Sequence, residues 1–316
     1  MRKENPTGTS SPNYPEMTKA GIWISAFRLR TLPLALSSTI LGSFLAFARE
    51  EFKWAVLILA ALTTLFLQVL SNLANDYGDA RKGADGEKRI GPQRVTQAGL
   101  VSYSKMKIMI GIFIGLSLLS GSLLIWFGLR GGTPRGFVLF FLLGFSAIIA
   151  AMKYTMGKRP YGYVGLGDVM VFIYFGILGV AGTYFLHTGS LHATILLPAS
   201  SIGLFSMGVL NLNNMRDREN DAANGKQTLV VRMGIAWAKV YHVVLLGLAF
   251  LLALTYTLLN FESYYQLIFL LPVPLLISDI QKVITNTVPV ELNPELRKLA
   301  MATLLFSVFF GLGLLF

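Results

Sequence analysis

Nine predominantly apolar stretches of roughly 20 residues run through this chain, and a stretch of that length crosses the hydrocarbon core of a bilayer as one helix. They lie near residues 22–47, 54–75, 106–129, 136–152, 168–186, 193–214, 238–260, 264–279 and 299–316. Pro272 and Pro274 interrupt the eighth, which a membrane helix tolerates better than a soluble one. No charge intervenes from Val169 to Met215, too long for one span, and His187-Thr188-Gly189-Ser190 marks the turn that divides it. Only 14% of residues are charged, against about a quarter in a soluble domain. The expected fold is all-α: a polytopic membrane protein in which residues 21–316 form a single transmembrane domain behind a disordered cytoplasmic tail at 1–20.

Lys and Arg concentrate on the cytoplasmic side of inserted helices. Of the 27 in this chain, all but Arg49, Lys53, Arg130 and Arg135 fall on the side that holds the N-terminus and the connections after the even-numbered spans. The N-terminus is therefore expected inside and the C-terminus outside. The net charge of +11 is mostly this asymmetry, so the sensible partners are anionic membrane lipids and an anionic substrate, not nucleic acid. The absence of cysteine excludes disulfides, thiolate nucleophiles and Cys-ligated metals. Met1 to Thr18 lacks the pattern of a cleaved signal and reads as a tail.

Seven of the 16 acids sit in two short segments, both on the inner side: Asp76, Asp79, Asp85 and Glu87 close the second span, and Asp217, Glu219 and Asp221 close the sixth. Helical spacing places Asn72, Asp76 and Asp79 on one face if the second helix continues through them, and Asn213, Asp217 and Asp221 on one face of the sixth. The shared Asn-x-x-x-Asp pattern hints at a duplicated unit. Like charges at this spacing repel, and an Asp within a membrane helix costs roughly 2.5–3.5 kcal/mol, so something must compensate. Solvated display at an interface is the plain alternative, weakened by the matching pattern in both clusters.

Mg²⁺ is the economical compensation, because it prefers oxygen ligands and takes one or two carboxylates plus substrate phosphate oxygens. Arg81, Lys82, Lys88, Arg89 and Arg94 flank the first cluster, and Arg216, Arg218 and Lys226 the second. Acids, metal and bases together describe a diphosphate clamp at the mouth of a helical bundle. Its substrate would keep a polar head at the interface and a tail in lipid, as an isoprenyl diphosphate does.

Asn75-Asp76-x-x-Asp79 and Asp217-x-x-x-Asp221 resemble the two Asp-rich motifs of the UbiA superfamily of intramembrane prenyltransferases, and Tyr154-x-x-x-Lys158 resembles its Tyr/Lys motif. The stretches FRLRTLPLA at 27–35, NLANDYGDARKGAD with RIGPQR at 72–94, YTMGKRPYGYVGLGD at 154–168 and NNMRDRENDAANGKQTLVVRMG at 213–234 are most similar to the naphthoate branch of that family, as is LNP at 292–294. Gly83 stands where many members carry a third acid, with Asp85 two residues later, an arrangement the same branch shares. Asp85 then either ligates metal or orients a base.

The resemblance implies a UbiA-type bundle in the inner (cytoplasmic) membrane and transfer of a polyprenyl group from polyprenyl diphosphate to 1,4-dihydroxy-2-naphthoate, with loss of CO₂ and diphosphate. It implies two Mg²⁺ ions held by Asp76, Asp79, Asp217 and Asp221 as the catalytic centre. Direct phosphate contacts are expected from Arg94, Lys158 and Lys226, and further substrate contacts from Asn72, Tyr154, Asn213 and Arg216. The rivals are another UbiA branch with a different aromatic acceptor, a CDP-alcohol phosphotransferase, whose Asp-Gly-x-x-Ala-Arg signature GDARKGADG does not reproduce, and a transporter, which predicts ionisable residues at mid-membrane depth.

Other features carry smaller expectations. His187, His192 and His242 have no metal-ligand spacing and read as packing or interface residues. Gly162, Gly165 and Gly167 read as a turn, and Gly111-x-x-x-Gly115 as close helix packing within the chain or between protomers. Asp168 reads equally as an N-cap or a substrate contact. Arg28 and Arg30 read as snorkelling groups or substrate contacts, and Glu262 and Asp279 as loop residues.

Overall fold

The computed structural model describes residues 18–83, 90–91 and 94–316. Among them, nine helices are long and apolar enough to cross a membrane: α1 (Lys19–Phe47), α2 (Trp54–Lys82), α3 (Tyr103–Gly128), α4 (Pro134–Lys153), α5 (Gly167–Thr188), α6 (Ala193–Ala223), α7 (Leu229–Leu259), α8 (Tyr264–Thr285) and α9 (Pro289–Gly313). The protein is an all-helical, multi-pass membrane protein. Thr18 caps α1 by accepting a hydrogen bond from the Gly21 N–H at 3.1 Å, so helix begins within the segment read as tail. Most of that tail, and Asp85, Glu87, Lys88 and Arg89, lie outside the described residues.

The acidic segments are continuations of their helices. α2 runs unbroken to Lys82 and stops at Gly83, whose left-handed φ of 67° suits a residue without a Cβ. α6 runs to Ala223. Several spans are irregular, and α6 and α9 each open with a short 3₁₀ turn, at Ala193–Ile195 and Pro289–Glu291. Arg28, with φ 52°, breaks α1 ahead of a 3₁₀ turn at Leu29–Thr31. Phe172–Gly182 of α5 is a π-helix, Gly234 kinks α7, and α8 opens as a 3₁₀ turn that ends before Pro272.

Packing divides into two main clusters of unequal size and a small third one of Val56, Ile125, Leu129 and Leu186. Around α6, Phe205 meets Phe306, and Phe269 meets Phe306 and Phe310, joining α6, α8 and α9. Around α2, Leu70, Leu73 and Tyr77 pack with Met106 and Ile110 of α3 and Ile148 of α4. The most apolar window of α6 is 56% buried and that of α2 only 22%, so α6 is a central post and α2 a wall.

In lipid, helices associate through van der Waals contact and close backbone approach. A Cβ on Gly176 of α5 would sit 2.7 Å from the Ala199 carbonyl oxygen and 2.8 Å from the Gly203 Cα of α6, so these backbones touch. Gly42 brings α1 against the Val180 carbonyl in the same way. Gly111 and Gly115 do not: nothing described lies within 4 Å of a Cβ at either position, and close packing within the chain is not their role.

Asp279 corrects another expectation. It lies inside α8, 0% exposed, with Oδ2 2.7 Å from Nε2 of the equally buried His242 of α7. The apolar run ends at 279, but the helix continues to Thr285, and the pair fastens α8 to α7. His187 packs at the other end of the molecule, accepting from the Lys53 backbone N–H at 3.0 Å and lying 2.9 Å from Ser43 Oγ.

Candidate active site

A single cavity of about 390 Å³ collects most of the residues expected in the site. Asn72, Asp79, Arg94, Tyr154, Asn213, Arg216, Asp217, Asp221 and Lys226 line it at the charged ends of α2 and α6. Its remainder is largely apolar, reaching Ala60 of α2, Ile125 of α3 and Leu186 of α5. At 1.5 Å per residue, Ala60 lies about 28 Å along α2 from Asp79, so the apolar arm spans most of a bilayer core.

On α2 the expected face is corrected at one position. Asn72, Asn75 and Asp79 line the cavity, and Asp76 does not. With about 100° between successive residues, Asn75 and Asp76 fall on opposite flanks of the line through Asn72 and Asp79. The chain after Gly91 captures Asp76: its Oδ2 accepts from the Val95 N–H at 3.1 Å and its Oδ1 from the Thr96 N–H at 3.3 Å. Asp76 is 2% exposed and fixes the turn that delivers Arg94, whose guanidinium donates to Asp79 Oδ2 at 2.6 Å. Asn72 binds the break in α1, donating to the Phe27 carbonyl at 2.9 Å and to Thr31 Oγ1 at 3.1 Å.

On α6, cations close at hand hold the acids. Arg216 grips Asp217 with both prongs, Nε to Oδ1 at 2.8 Å and Nη2 to Oδ2 at 2.5 Å, a bidentate arrangement that fixes direction as well as charge. The same guanidinium donates to Asn213 Oδ1 at 2.8 Å and to Asn293 Oδ1 of α9 at 3.0 Å. Lys226 Nζ lies 3.3 Å from Asp221 Oδ1. Burial works against the Lys226 charge, but Asp221, Tyr154 and Asp79 outweigh it and push its pKa above the ordinary lysine value, so it stays cationic.

The segment between α4 and α5 crosses the mouth. Tyr154 lines the cavity, and burial pushes its phenol up to about 12, so it stays neutral. Gly165, with φ 78°, ends a 3₁₀ turn at Tyr161–Val164, as the glycine pattern suggested. Tyr163 within that turn donates to Asp79 Oδ1 at 2.9 Å. Lys158 is exposed and outside the cavity lining, away from the phosphate contact expected of it. Asp168 is not an N-cap: it lies inside the first turn of α5 and accepts from the Tyr241 hydroxyl at 3.2 Å.

Sequence reasoning missed Tyr163, Asn293 and Arg297, and gave Arg28 and Arg30 no settled role. Arg28, Arg30 and Arg297 all line the cavity. Asn75 was legible, since it stands four residues before Asp79 as Asn213 does before Asp217.

The donor set suits a hard divalent cation. Asp221 Oδ2 and Asn75 Oδ1, both in residues that line the cavity, are buried oxygens with no hydrogen-bond partner among the described residues. No three acidic or histidine side chains converge on one point among the described residues, so a cation there would rely on one or two carboxylates and on substrate oxygens.

The sequence pattern described as the UbiA prenyltransferase family matches residues 35–301. The chain is 44% identical over 299 residues to the 1,4-dihydroxy-2-naphthoate octaprenyltransferase of Haemophilus influenzae, covering 94% of this chain and 96% of that one. It is 41% identical over 299 residues to the protein of the same name from Escherichia coli, covering 95% and 96%. Among solved structures, the fold is similar to an apo UbiA homologue from Aeropyrum pernix, with TM-score 0.64, 16% identity and coverage of 91% and 96%. It is also similar to a UbiA homologue from Archaeoglobus fulgidus bound to DMAPP and Mg²⁺, with TM-score 0.56, 18% identity and coverage of 90% and 98%. A match that runs through both acid-bearing helices, on a fold shared with solved relatives, leaves one conclusion: the chain belongs to the UbiA prenyltransferase family.

Proposed function

We propose that this prenyltransferase transfers a polyprenyl group from polyprenyl diphosphate to 1,4-dihydroxy-2-naphthoate in the inner membrane, releasing diphosphate and CO₂ and giving demethylmenaquinol. One observation carries the reading of the site: both acid clusters and their cations open into one cavity whose long arm is apolar. A charged head and a greasy tail fit that division. The acceptor follows the relatives at 44% and 41% identity, matched over nearly their full length and both named for 1,4-dihydroxy-2-naphthoate. The N-terminus and the charged mouth lie on the cytoplasmic side, in keeping with the distribution of Lys and Arg.

Asp79 with the Asn75 amide oxygen on α2, and Asp217 with Asp221 on α6, would each hold one of two Mg²⁺ ions at the mouth together with substrate oxygens, and bound Mg²⁺ supplies Lewis acidity to the departing diphosphate. Asp76 serves by holding the turn that carries Arg94. Lys226 and Arg94 meet anionic phosphate oxygens, and Arg216 keeps Asp217 oriented. Tyr154, Tyr174, Phe140 and Phe175 line the cavity with aromatic surface that stabilises positive charge on the allylic carbon as its C–O bond breaks. The apolar lining of the arm disfavours water at that carbon. Arg28, Arg30 and Arg297 give the cavity enough positive charge for an acceptor carboxylate in addition to the diphosphate. The ring carbon bearing the carboxylate attacks, and CO₂ leaves as the ring regains aromaticity.

Purified protein given a labelled polyprenyl diphosphate and each aromatic acceptor in turn tests this. Naphthoate should be prenylated in a Mg²⁺-dependent manner and 4-hydroxybenzoate should not. Turnover of hydroxybenzoate without turnover of naphthoate would overturn the assignment.

A further inference from the structure

Tyr163 is the one residue whose own hydrogen bonds link both acid-bearing regions among the described residues. Its hydroxyl donates to Asp79 Oδ1 at 2.9 Å, and its carbonyl accepts from the Gln227 N–H at 3.0 Å, next to the Lys226 that pairs with Asp221. Lys82 Nζ lies 4.1 Å from the centre of its ring and Lys226 Nζ 5.9 Å. Arg232 secures the adjacent backbone by donating to the Val164 carbonyl at 3.0 Å. At Gly165 a Cβ would come within 3.1 Å of the Gln227 carbonyl oxygen, so the turn lies directly on the segment after α6. A phenol has two torsions to lose and is braced on both sides, so it presents its hydroxyl at a fixed point.

We propose that Tyr163 is a positioning residue for the divalent cation, holding the Asp79 carboxylate in its binding orientation and setting the distance between the α2 and α6 clusters. The proposal rests on the reading of Asp79 as a cation ligand. A carboxylate offers about four acceptor directions, so a phenolic hydrogen bond and a cation can share it. Carboxylates that bind metal are oriented by outer hydrogen bonds, and loss of such a partner typically costs 10–100-fold in metal affinity or activity. Competition between the Tyr163 hydroxyl and the cation would have the opposite sign.

The test uses Mn²⁺, read by its EPR signal, titrated into the full-length protein in detergent with saturating dimethylallyl diphosphate and no acceptor. Tyr163→Phe should weaken Mn²⁺ binding roughly 10–100-fold. It should also raise the Mg²⁺ concentration for half-maximal activity, while kcat at saturating Mg²⁺ changes far less. Unchanged or tighter Mn²⁺ binding in Tyr163→Phe, with Asp79→Asn weakened, overturns the role of Tyr163 alone. Unchanged binding in Asp79→Asn, or no binding by the wild type, overturns the ligand assignment beneath it. Should Tyr163→Phe fail to fold, Tyr163→His, which keeps a ring donor, is expected to bind Mn²⁺ more tightly than Tyr163→Leu, and equal affinity overturns the proposal.

Discussion

The charged ends of α2 and α6 look like copies in the sequence and are built differently. On α6 the cations come from neighbouring positions, Arg216 beside Asp217 and Lys226 five residues past Asp221, so that end is largely self-contained. On α2 the cation comes from Arg94, 15 residues beyond Asp79, and Asp76 is used to secure the turn that brings it. A repeated Asn-x-x-x-Asp pattern therefore does not guarantee repeated roles: what each acid does depends on which backbone and which base reach it first.

The sharpest way to break this comparison is at Asp221. Asn there removes a cavity oxygen and leaves Lys226 buried without its ion-pair partner, and turnover should fall roughly 10²–10³-fold, the scale of losing a preorganised electrostatic group. Retained turnover in labelled-prenyl assays would end the reading of α6 as half of the clamp. On α2, Asp79→Asn should cost about 10²-fold in turnover with a raised Mg²⁺ requirement. Asp76→Asn should keep turnover at saturating Mg²⁺ within about tenfold, but lower thermal stability by roughly 1–3 kcal/mol through its weakened hold on the Val95 and Thr96 amides. If Asp76→Asn abolishes turnover without lowering the Tm, the two clusters are more alike than the structure makes them.

A buried pair away from the cavity gives the control. Asp279→Ala strands His242 between α7 and α8, and removal of one partner from a buried pair costs about 3–5 kcal/mol if the survivor is charged. Its melting temperature in detergent should drop while the Mg²⁺ dependence stays put. The smallest effect belongs to Lys158→Ala, whose exposed side chain should change KM for the prenyl diphosphate by no more than about twofold. A larger increase would bring Lys158 back to the phosphates.

Much of this was legible from residues alone. Spans were legible because lipid punishes charge, so the ends of α3 and α4 announce themselves, whereas α7 begins at Leu229, ahead of the expected 238, because Arg232 lies within its first turns. The acid clusters were legible because seven acids in two short segments are costly unless they do something. What could not be read was direction. Asp76 and Asn75 are neighbours, and the choice between them follows from where the turn at residues 94–96 closes, a long-range contact with no local signature. Tyr163 was hidden for the same reason, since its target on α2 lies 84 positions away. Asp279 ended an apolar run and so resembled a loop residue, because its partner is on another helix.

The meeting of α5 and α6 at Gly176 and Gly203 has a consequence for traffic. Where two backbones are in contact there is no crevice for a hydrocarbon chain to slip through, so the wall is closed at that level. A membrane-dissolved donor has to be loaded, and its elongated product discharged, along a different side of the barrel of helices. A single methyl at Gly176 would push α5 and α6 apart at this point.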